Sequence, residues 1–443
     1  MTSNLSRNLP ARPESIVSSA IRAAGRIHPK RLFGTRQAFL DYCQVLAGTT
    51  GRLTLQVVYF LVLANTLNLR EMGIFASISA AGVMLGCLTG LGFQSLLFRS
   101  AATRRSSLGG YFAAFYVCFA AALPVSLTIS AGLYLFLFKG SVGFTAYLAI
   151  ILVEIALWRV VEMLVQVNNG LGRYNVAATV IMASSGMRTL AAVAFMTAGG
   201  GDAGVWALYY FAANAASVVL LTVLYHPRIR LRWRKQLLFG RLRNSLLYAF
   251  AYFAFLAQNE ADKLVILWLA GDRTAGVYAI SMRIIDLTAV PLRPIFVLYS
   301  RRLMKIGRAT PQLLREIIRV EGLVALVSTV GLLAVLALLT IWPRLLGQNV
   351  SSAAELLAVI VAVPAAKNLL EFHAELFFAF NRMGLHGALA AGLVLLKAAA
   401  LAMLLATFHG SQRWGLGLNA IYGALFFLSF AMVRSVLLGK APS

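Results

Sequence analysis

Acidic side chains are scarce in this chain. Fifteen aspartates and glutamates stand against 40 lysines and arginines in 443 residues, and charged residues of either sign make up only 12%. Soluble domains carry about twice that share, so a charge-solubilised globular protein is excluded. Cysteine is equally sparse, and Cys43, Cys87 and Cys118 lie in apolar runs without ligand spacing, reading as packing residues with no disulfide or metal implied. No Gly-rich Lys-Ser/Thr phosphate loop occurs, which argues against direct drive by ATP. No cleavable signal peptide is expected, because the first long apolar run starts late and lacks a small-x-small exit.

Apolar residues dominate instead, at 60% with a mean hydropathy of +0.79. A bilayer crossing needs about 20 mostly apolar residues. The chain is therefore an all-α polytopic membrane protein with about twelve crossings. They are placed near 42–65, 73–97, 111–138, 143–166, 176–198, 204–225, 246–270, 276–299, 320–342, 353–378, 385–408 and 414–436.

The formal charge of +25 is distributed by side. The segment before the first crossing holds Arg7, Arg12, Arg22, Arg26, Lys30, Arg31 and Arg36; "HPRIRLRWRKQLLFGRLRN" after the sixth holds seven basic residues, and "RRLMKIGRATPQLLREIIR" after the eighth holds six. Loops of the other side carry one at most: Arg70, Lys139, Arg273, Arg344 and Arg413. The positive-inside rule makes both termini cytoplasmic. The basic runs then reflect topology and attraction to anionic lipid, and no nucleic-acid partner is implied. In the tail, Ile16, Ala20, Ala24 and Ile27 form a weak helical stripe that suits either an interfacial helix or a disordered segment.

An internal repeat divides the chain. "NLREMGIFASIS" is echoed by "GDRTAGVYAISM", so that Gly73-Ile74-Phe75-Ala76 answers Gly276-Val277-Tyr278-Ala279, and "NNGLGRYNVAA" is echoed by "FNRMGLHGALA". The expected organisation is a basic tail over 1–41, a six-helix half over 42–225, a basic cytoplasmic linker over 226–245 and a second six-helix half over 246–443. Six crossings per half give both halves one orientation, a parallel repeat of a kind used by transporters.

The motif "DKLVI", a short turn with Gly and then "AGVYAISMRI" resembles the seventh and eighth spans of Wzx-type polysaccharide flippases, within the superfamily of multidrug, oligosaccharidyl-lipid and polysaccharide exporters. "LANTLNLREMGIFASISAAGVMLGCLTGLGFQSLLFRSAA" and "NGLGRYN" are similar to that family's first two spans and its fourth-to-fifth connection. The resemblance implies a flippase of the bacterial inner membrane that works by alternating access. Its cargo would be a polyprenyl-diphosphate-linked oligosaccharide for exopolysaccharide or lipopolysaccharide synthesis. A polysaccharide polymerase and a chain-length regulator would be further partners.

Ionisable residues at bilayer depth cost about 2.5–3.5 kcal/mol each on insertion scales, so they should face the bundle interior or a wet cavity. Eight cations qualify: Arg52, Arg159, Arg188, Lys263, Arg283, Arg293, Lys367 and Lys397. Drawn from both halves, they would line a cationic cavity for an anionic group, which Arg meets bidentately and Lys as a point charge. Glu162, Glu260, Asp262, Asp286, Glu371 and Glu375 are candidates for coupling to a proton or sodium gradient, or for balancing charge alone; no other cofactor is implied. Asn259 and Gln166 would add polar lining. Glu154 and Glu321, isolated or near span ends, rank below these.

Internal salt bridges are the competing reading. Arg159 with Glu162, Arg283 with Asp286, Lys367 with Glu371 and Lys263 with Glu260 sit three or four residues apart. Arg52, Arg188 and Lys397 have no acid within reach on their own helix. Two further functions stay in view: an ion-coupled exporter of drugs or metabolites from the same superfamily, for which anionic cargo fits the cation excess, and, ranked low, a membrane polymerase or ligase. Short external loops speak against the enzyme. Gly82, Gly86 and Gly90 form a small-residue ladder, and Pro124, Pro291, Pro294 and Pro364 are positioned to kink their helices.

Overall fold

The computed structural model describes residues 36–438 apart from 104, 294, 297–298, 300–302, 304–310, 343–346, 381–382 and 409–413, with side chains at nearly all of these from Gly51 onward. The tail with its apolar stripe, most of the basic loop after the eighth span, Pro294, Arg344, Arg413 and the side chain of Cys43 lie outside the described residues.

Every described element is helical. The first span is Arg36–Thr66, and the second is Leu69–Thr89 prolonged by Phe93–Thr103. The third is Leu108–Leu133, running into a π-helical turn at Tyr134–Phe138. The fourth combines Phe144–Leu152, a π-helical turn at Val153–Leu157 and Trp158–Gly170. Tyr174–Thr197 and Ala203–Tyr225 complete the first half. Lys235–Thr288 would be about 80 Å long as one rod at 1.5 Å per residue, far beyond a bilayer. It is two crossings, because Gly271 takes φ 81° and ψ 173° and turns the chain back. Only glycine adopts that conformation without strain. Pro311–Ile341 is the ninth span. Gln348–Val359 and Val363–Ala379 make the tenth, broken by a bend of 79°. Met383–Thr407 and Trp414–Leu438 follow.

Eight of these helices are long and apolar enough to cross a membrane on composition alone, or nine with the broken pair. The second crossing inside Lys235–Thr288, the helix Arg36–Thr66 and the segmented fourth span bring the number to the twelve expected. Helix starts are set by local chemistry: the side chains of Asn68 and Asp202 accept from the backbone N–H groups of Glu71 and Val205, capping the second and sixth spans. One boundary differs from expectation. The linker expected over 226–245 is extended only to Arg234, and from Lys235 onward it is the helical lead into the seventh span.

The apolar core has three parts. The largest is shared by both halves and draws on the end of each odd-numbered span and the start of each even-numbered one, the side opposite the basic loops: Phe60 and Leu63, Ile74 and Ile78, Trp206, Ile266, Tyr278, Ile360 and Trp414 belong to it. On the basic side the core splits, with Phe93, Phe112, Phe115 and Leu164 in the first half and Leu292, Phe296, Ile317 and Phe372 in the second. The halves are therefore fused at the external end and have separate cores toward the cytoplasm.

The fusion uses the repeated glycines. A Cβ on Gly73 would overlap the carbonyl oxygen of Asp272, and one on Gly276 would overlap that of Leu69. The second and eighth spans can touch backbone to backbone only because both positions are glycine. Arg70 clasps Asp272 at 3.0 Å across the same seam. Asn349 Nδ2 donates to the Ala64 carbonyl at 2.7 Å and to that of Leu67 at 2.5 Å, tying the tenth span to the first.

Candidate functional site

Each half builds a buried acid–tyrosine–cation cluster whose tyrosines belong to the shared core. In the first half the π-helical turn Val153–Leu157 carries Glu154, only 4% exposed. An extra residue in the turn widens the helix, a feature that recurs at functional sites. Ser79 Oγ at 2.8 Å and Tyr210 OH at 2.7 Å donate to Glu154 Oε1. The glycine ladder makes this approach possible: a Cβ on Gly82 would stand 2.5 Å from the Glu154 Cβ, and one on Gly86 2.8 Å from the Glu154 carbonyl oxygen. The next turn of the fourth span pairs Arg159 with Glu162 at 2.6 Å.

In the second half, Asp262 accepts from Tyr278 OH and lies 2.7 Å from Lys397 Nζ, with Tyr422 OH at 3.4 Å. Lys397 Nζ also donates to the Gln258 carbonyl at 2.7 Å. Removing two charges from water is repaid only when each finds such partners. Lys263 pairs with Glu260 as its spacing suggested.

Two other expected pairs are replaced by pairs between helices. Lys367 binds Asp286 at 2.5 Å, and Glu371 lies 3.9 Å from Arg293. Arg283 with Asp286 and Lys367 with Glu371 do not form, because the eighth and tenth spans face each other and offer shorter reaches than their own helices do. Glu375 is half-buried one turn beyond Glu371.

The two clusters are related by the repeat. Arg188 of the fifth span lies over the ring of Tyr210 at 5.3 Å, and Lys397 of the eleventh lies over that of Tyr422 at 5.0 Å. Phe75 meets Trp206 at 5.9 Å where Tyr278 meets Trp414 at 6.2 Å. Even the irregularities correspond, the π-helical turn of the fourth span answering the break in the tenth.

Four of the expected cations form a different group. Arg52 feels the charge of Arg188 of its own half and of Arg293 and Arg283 of the other, opposed in part by that of Glu162. Arg188 has Asn214 Oδ1 at 2.7 Å and the ring of Trp158 at 4.3 Å; Arg52 lies 6.0 Å from the same ring. Among the described residues Arg52 Nε and Arg188 Nη2 are buried without a hydrogen-bond partner. Among the described residues neither Arg52, Arg188 nor Arg283 makes an ion pair with an acid. Buried donors are normally satisfied, and like charges repel, so Arg52 and Arg188 are left with unmet capacity to bind an anion.

The remaining predicted lining separates into two small cavities. Gln166 and Glu162 border one of about 220 Å³, together with Gln94, Tyr248 and Tyr252. Asn259, Lys367, Glu371 and Lys397 border one of about 20 Å³, room for about one water. Lys367 and Lys397 are thus committed to acids, and the free cationic character rests on arginines. Glu154 outranks its sequence placing: its partners Ser79 and Tyr210 lie on other helices, and only the nearby Gly82 and Gly86 hinted at a close approach.

No protein-family model and no curated protein sequence matches the chain. Solved structures do. The MATE multidrug transporter DinF-BH, solved with a bound ligand, is 15% identical, with 90% of this chain and 97% of that one covered and a TM-score of 0.63. A multidrug resistance MATE family transporter of the MOP superfamily in an inward-facing conformation is 14% identical over 89% of this chain and 100% of that one, with a TM-score of 0.61. A MOP superfamily transporter from Pyrococcus furiosus, described as having a binding pocket of reverse polarity that suggests a different function, is 12% identical over 90% and 95%, with a TM-score of 0.60.

At such identities the likeness shows the fold. The chain is a multi-pass membrane protein with the two-bundle fold that these transporters of the multidrug, oligosaccharidyl-lipid and polysaccharide superfamily share. The narrower resemblance is corrected, since the structures matched are described as multidrug transporters and not as flippases of the Wzx type. With that reading go the polyprenyl-diphosphate oligosaccharide, the polymerase and the chain-length regulator. Of the short motifs on which it rested, "GVYA" lies at the crossing of the second and eighth spans and "NGLGRYN" forms the turn between the fourth and fifth.

Proposed function

We propose that this protein is an ion-coupled exporter of small organic anions, working by alternating access between an inward-facing state and one opened outside. The arrangement described is closed at the external end by the Gly73–Gly276 seam, with separate cores toward the cytoplasm. Cargo would enter from the cytoplasm.

One observation carries the choice of cargo. Arg52, Arg188 and Arg283 make no ion pair among the described residues, Arg293 only a long one to Glu371, and Arg52 and Arg188 carry buried guanidinium donors that no described residue satisfies. An anion between the halves would relieve their repulsion, accept those donors and draw the halves together. Trp158, beside two of these arginines, offers an apolar platform for the rest of the cargo. An organic cation would meet the opposite field.

Glu154 and Asp262 are the coupling groups in this reading, one in each half. Each is a buried carboxylate held by tyrosine hydroxyls, and Asp262 also by Lys397. Glu154 has no cation within salt-bridge reach among the described residues, so taking up a proton or a sodium ion would neutralise it where it stands.

Equilibrium binding to the purified protein tests the cargo class. A panel of fluorescent organic anions and cations of matched size should sort by charge, the anions binding and Arg283→Gln weakening them. Binding of the cations alone, unaffected by that substitution, would reject the proposal.

A further inference from the structure

A second basic site lies away from the cationic face, at the cytoplasmic end of the first half. A cavity of about 680 Å³ opens between the ends of the second and third spans and the helix that leads into the seventh. Arg99, Arg241, Gln236 and Tyr111, with the hydroxyls of Ser100, Thr103 and Ser107, supply its polar groups, and Leu96 and Leu237 its apolar wall. Among the described residues no acidic one lines it. Among the described residues neither Arg99 nor Arg241 has an ion-pair partner; the Ser100, Ser107 and Thr103 hydroxyls are engaged in hydrogen bonds, while the side chains of Arg99, Arg241, Gln236 and Tyr111 are not.

The walls are fixed by the chain itself. The backbone N–H of Arg232 donates to the Gly109 carbonyl at 3.2 Å, and a Cβ on Gly109 would overlap the carbonyl oxygen of Arg230, so the linker is pressed onto the start of the third span. Leu237 and Leu238 then join the apolar core of the first half. Arg105 closes the neighbouring turn by donating to the Leu171 carbonyl at 3.2 Å. A cavity held this way is formed before anything enters it.

Its height relative to the bilayer is marked by its surroundings. Leu231, Trp233 and Phe239 are 57%, 50% and 68% exposed on the same linker, interleaved with Arg228, Arg230, Arg232, Arg234 and Lys235. Apolar and aromatic side chains alternating with guanidinium groups suit the headgroup boundary. The cavity mouth is thus level with lipid phosphates of the cytoplasmic leaflet.

We infer that this cavity holds the headgroup of an anionic phospholipid. The phosphodiester would lie between Arg99 and Arg241, with Tyr111 and Gln236 donating to the headgroup oxygens and the glycerol backbone against Leu96 and Leu237. Basic pockets between helices on the cytoplasmic side select lipid headgroups in this manner. Because one wall belongs to the second and third spans and the other to the helix entering the second half, the lipid would fasten the linker to the first half. None of the lining residues belongs to the arginine face between the halves.

Native mass spectrometry of the full-length protein extracted from vesicles of phosphatidylglycerol and phosphatidylcholine provides the test. Wild type should retain phosphatidylglycerol in preference to phosphatidylcholine. Arg99→Gln with Arg241→Gln should weaken retention roughly fivefold per arginine removed. Arg228→Gln with Arg230→Gln, an equal charge change outside the cavity, should leave it near wild type. Equal losses in the two double variants would overturn the site in favour of diffuse attraction. Displacement of the lipid by millimolar inorganic phosphate would overturn the lipid as its occupant. Should the cavity variant unfold, a photoactivatable phosphatidylglycerol on wild type decides instead: labelling at Gln236–Arg241 is expected, and labelling only elsewhere overturns the proposal.

Discussion

Lys397 and Asp262 form an ion pair of 2.7 Å between the eleventh and seventh spans, with side chains 6% and 2% exposed. Removing one partner strands the other charge out of water, and such changes cost about 3–5 kcal/mol. Lys397→Met should lower the unfolding temperature in detergent sharply, and Asp262→Asn combined with it should recover most of the loss. A double variant no more stable than the single one would show that the pair is not coupled as described.

Glu154 is a carboxylate supported by two hydroxyls and no cation among the described residues. Glu154→Gln keeps an oxygen able to accept from Ser79 and Tyr210, so the fold should survive. Substrate should still move down its own gradient while losing the ability to be driven by a proton or sodium gradient. Glu154→Ala, which orphans the Tyr210 hydroxyl, should cost about 1–3 kcal/mol of stability as well. Gradient-driven accumulation by the Gln variant at the wild-type rate would remove Glu154 from coupling.

The glycine ladder gives a steric prediction with an internal control. Gly82→Ala sets a methyl 2.5 Å from the Glu154 side chain, whereas one at Gly132 meets nothing within 4 Å. Overpacking of a buried contact costs about 1–3 kcal/mol. Thermal unfolding should therefore show Gly82→Ala destabilised and Gly132→Ala unchanged or slightly more stable. Equal behaviour of the two would contradict the close approach of the second and fourth spans.

Much of this was legible in the sequence. Twelve crossings, their side and the twofold repeat follow from hydropathy, basic loops and the "GIFA"/"GVYA" echo, because each is a property of a single segment or its spacing. Pairing within one helix was partly legible too: Arg159 with Glu162 and Lys263 with Glu260 formed as spaced. Pairing between helices was not. Asp286 turns to Lys367 and Asp262 to Lys397, choices set by the rotation of neighbouring helices, which no single-helix projection contains. The π-helical turn that buries Glu154 left no mark either, since "VEIAL" reads as ordinary helix. The cargo was misjudged for a different reason: motifs that shape helix crossings are shared by proteins moving unlike molecules.

At the external seam, Gly276→Ala should disfavour the closed arrangement, because the added methyl overlaps the Leu69 carbonyl. A cysteine introduced as Ser77→Cys, buried at 1% exposure one turn below Gly73, reports this from the external side. Labelling by an impermeant thiol reagent should be slow in the wild-type background and faster with Gly276→Ala. Unchanged labelling would mean that the glycine contact does not hold the seam shut.

The arginine face can be probed through activity and stability together. Arg283 makes no ion pair among the described residues, so Arg283→Gln should leave the unfolding temperature near wild type while abolishing recognition of an anion. Proteoliposomes with an imposed proton or sodium gradient measure this directly, comparing wild type and Arg283→Gln for movement of an organic anion and a matched organic cation. Gradient-dependent transport of the anion by wild type is predicted, lost in a folded Arg283→Gln protein, with none of the cation. Transport of the cation by both proteins, with the anion left behind, would contradict an anion site between the halves.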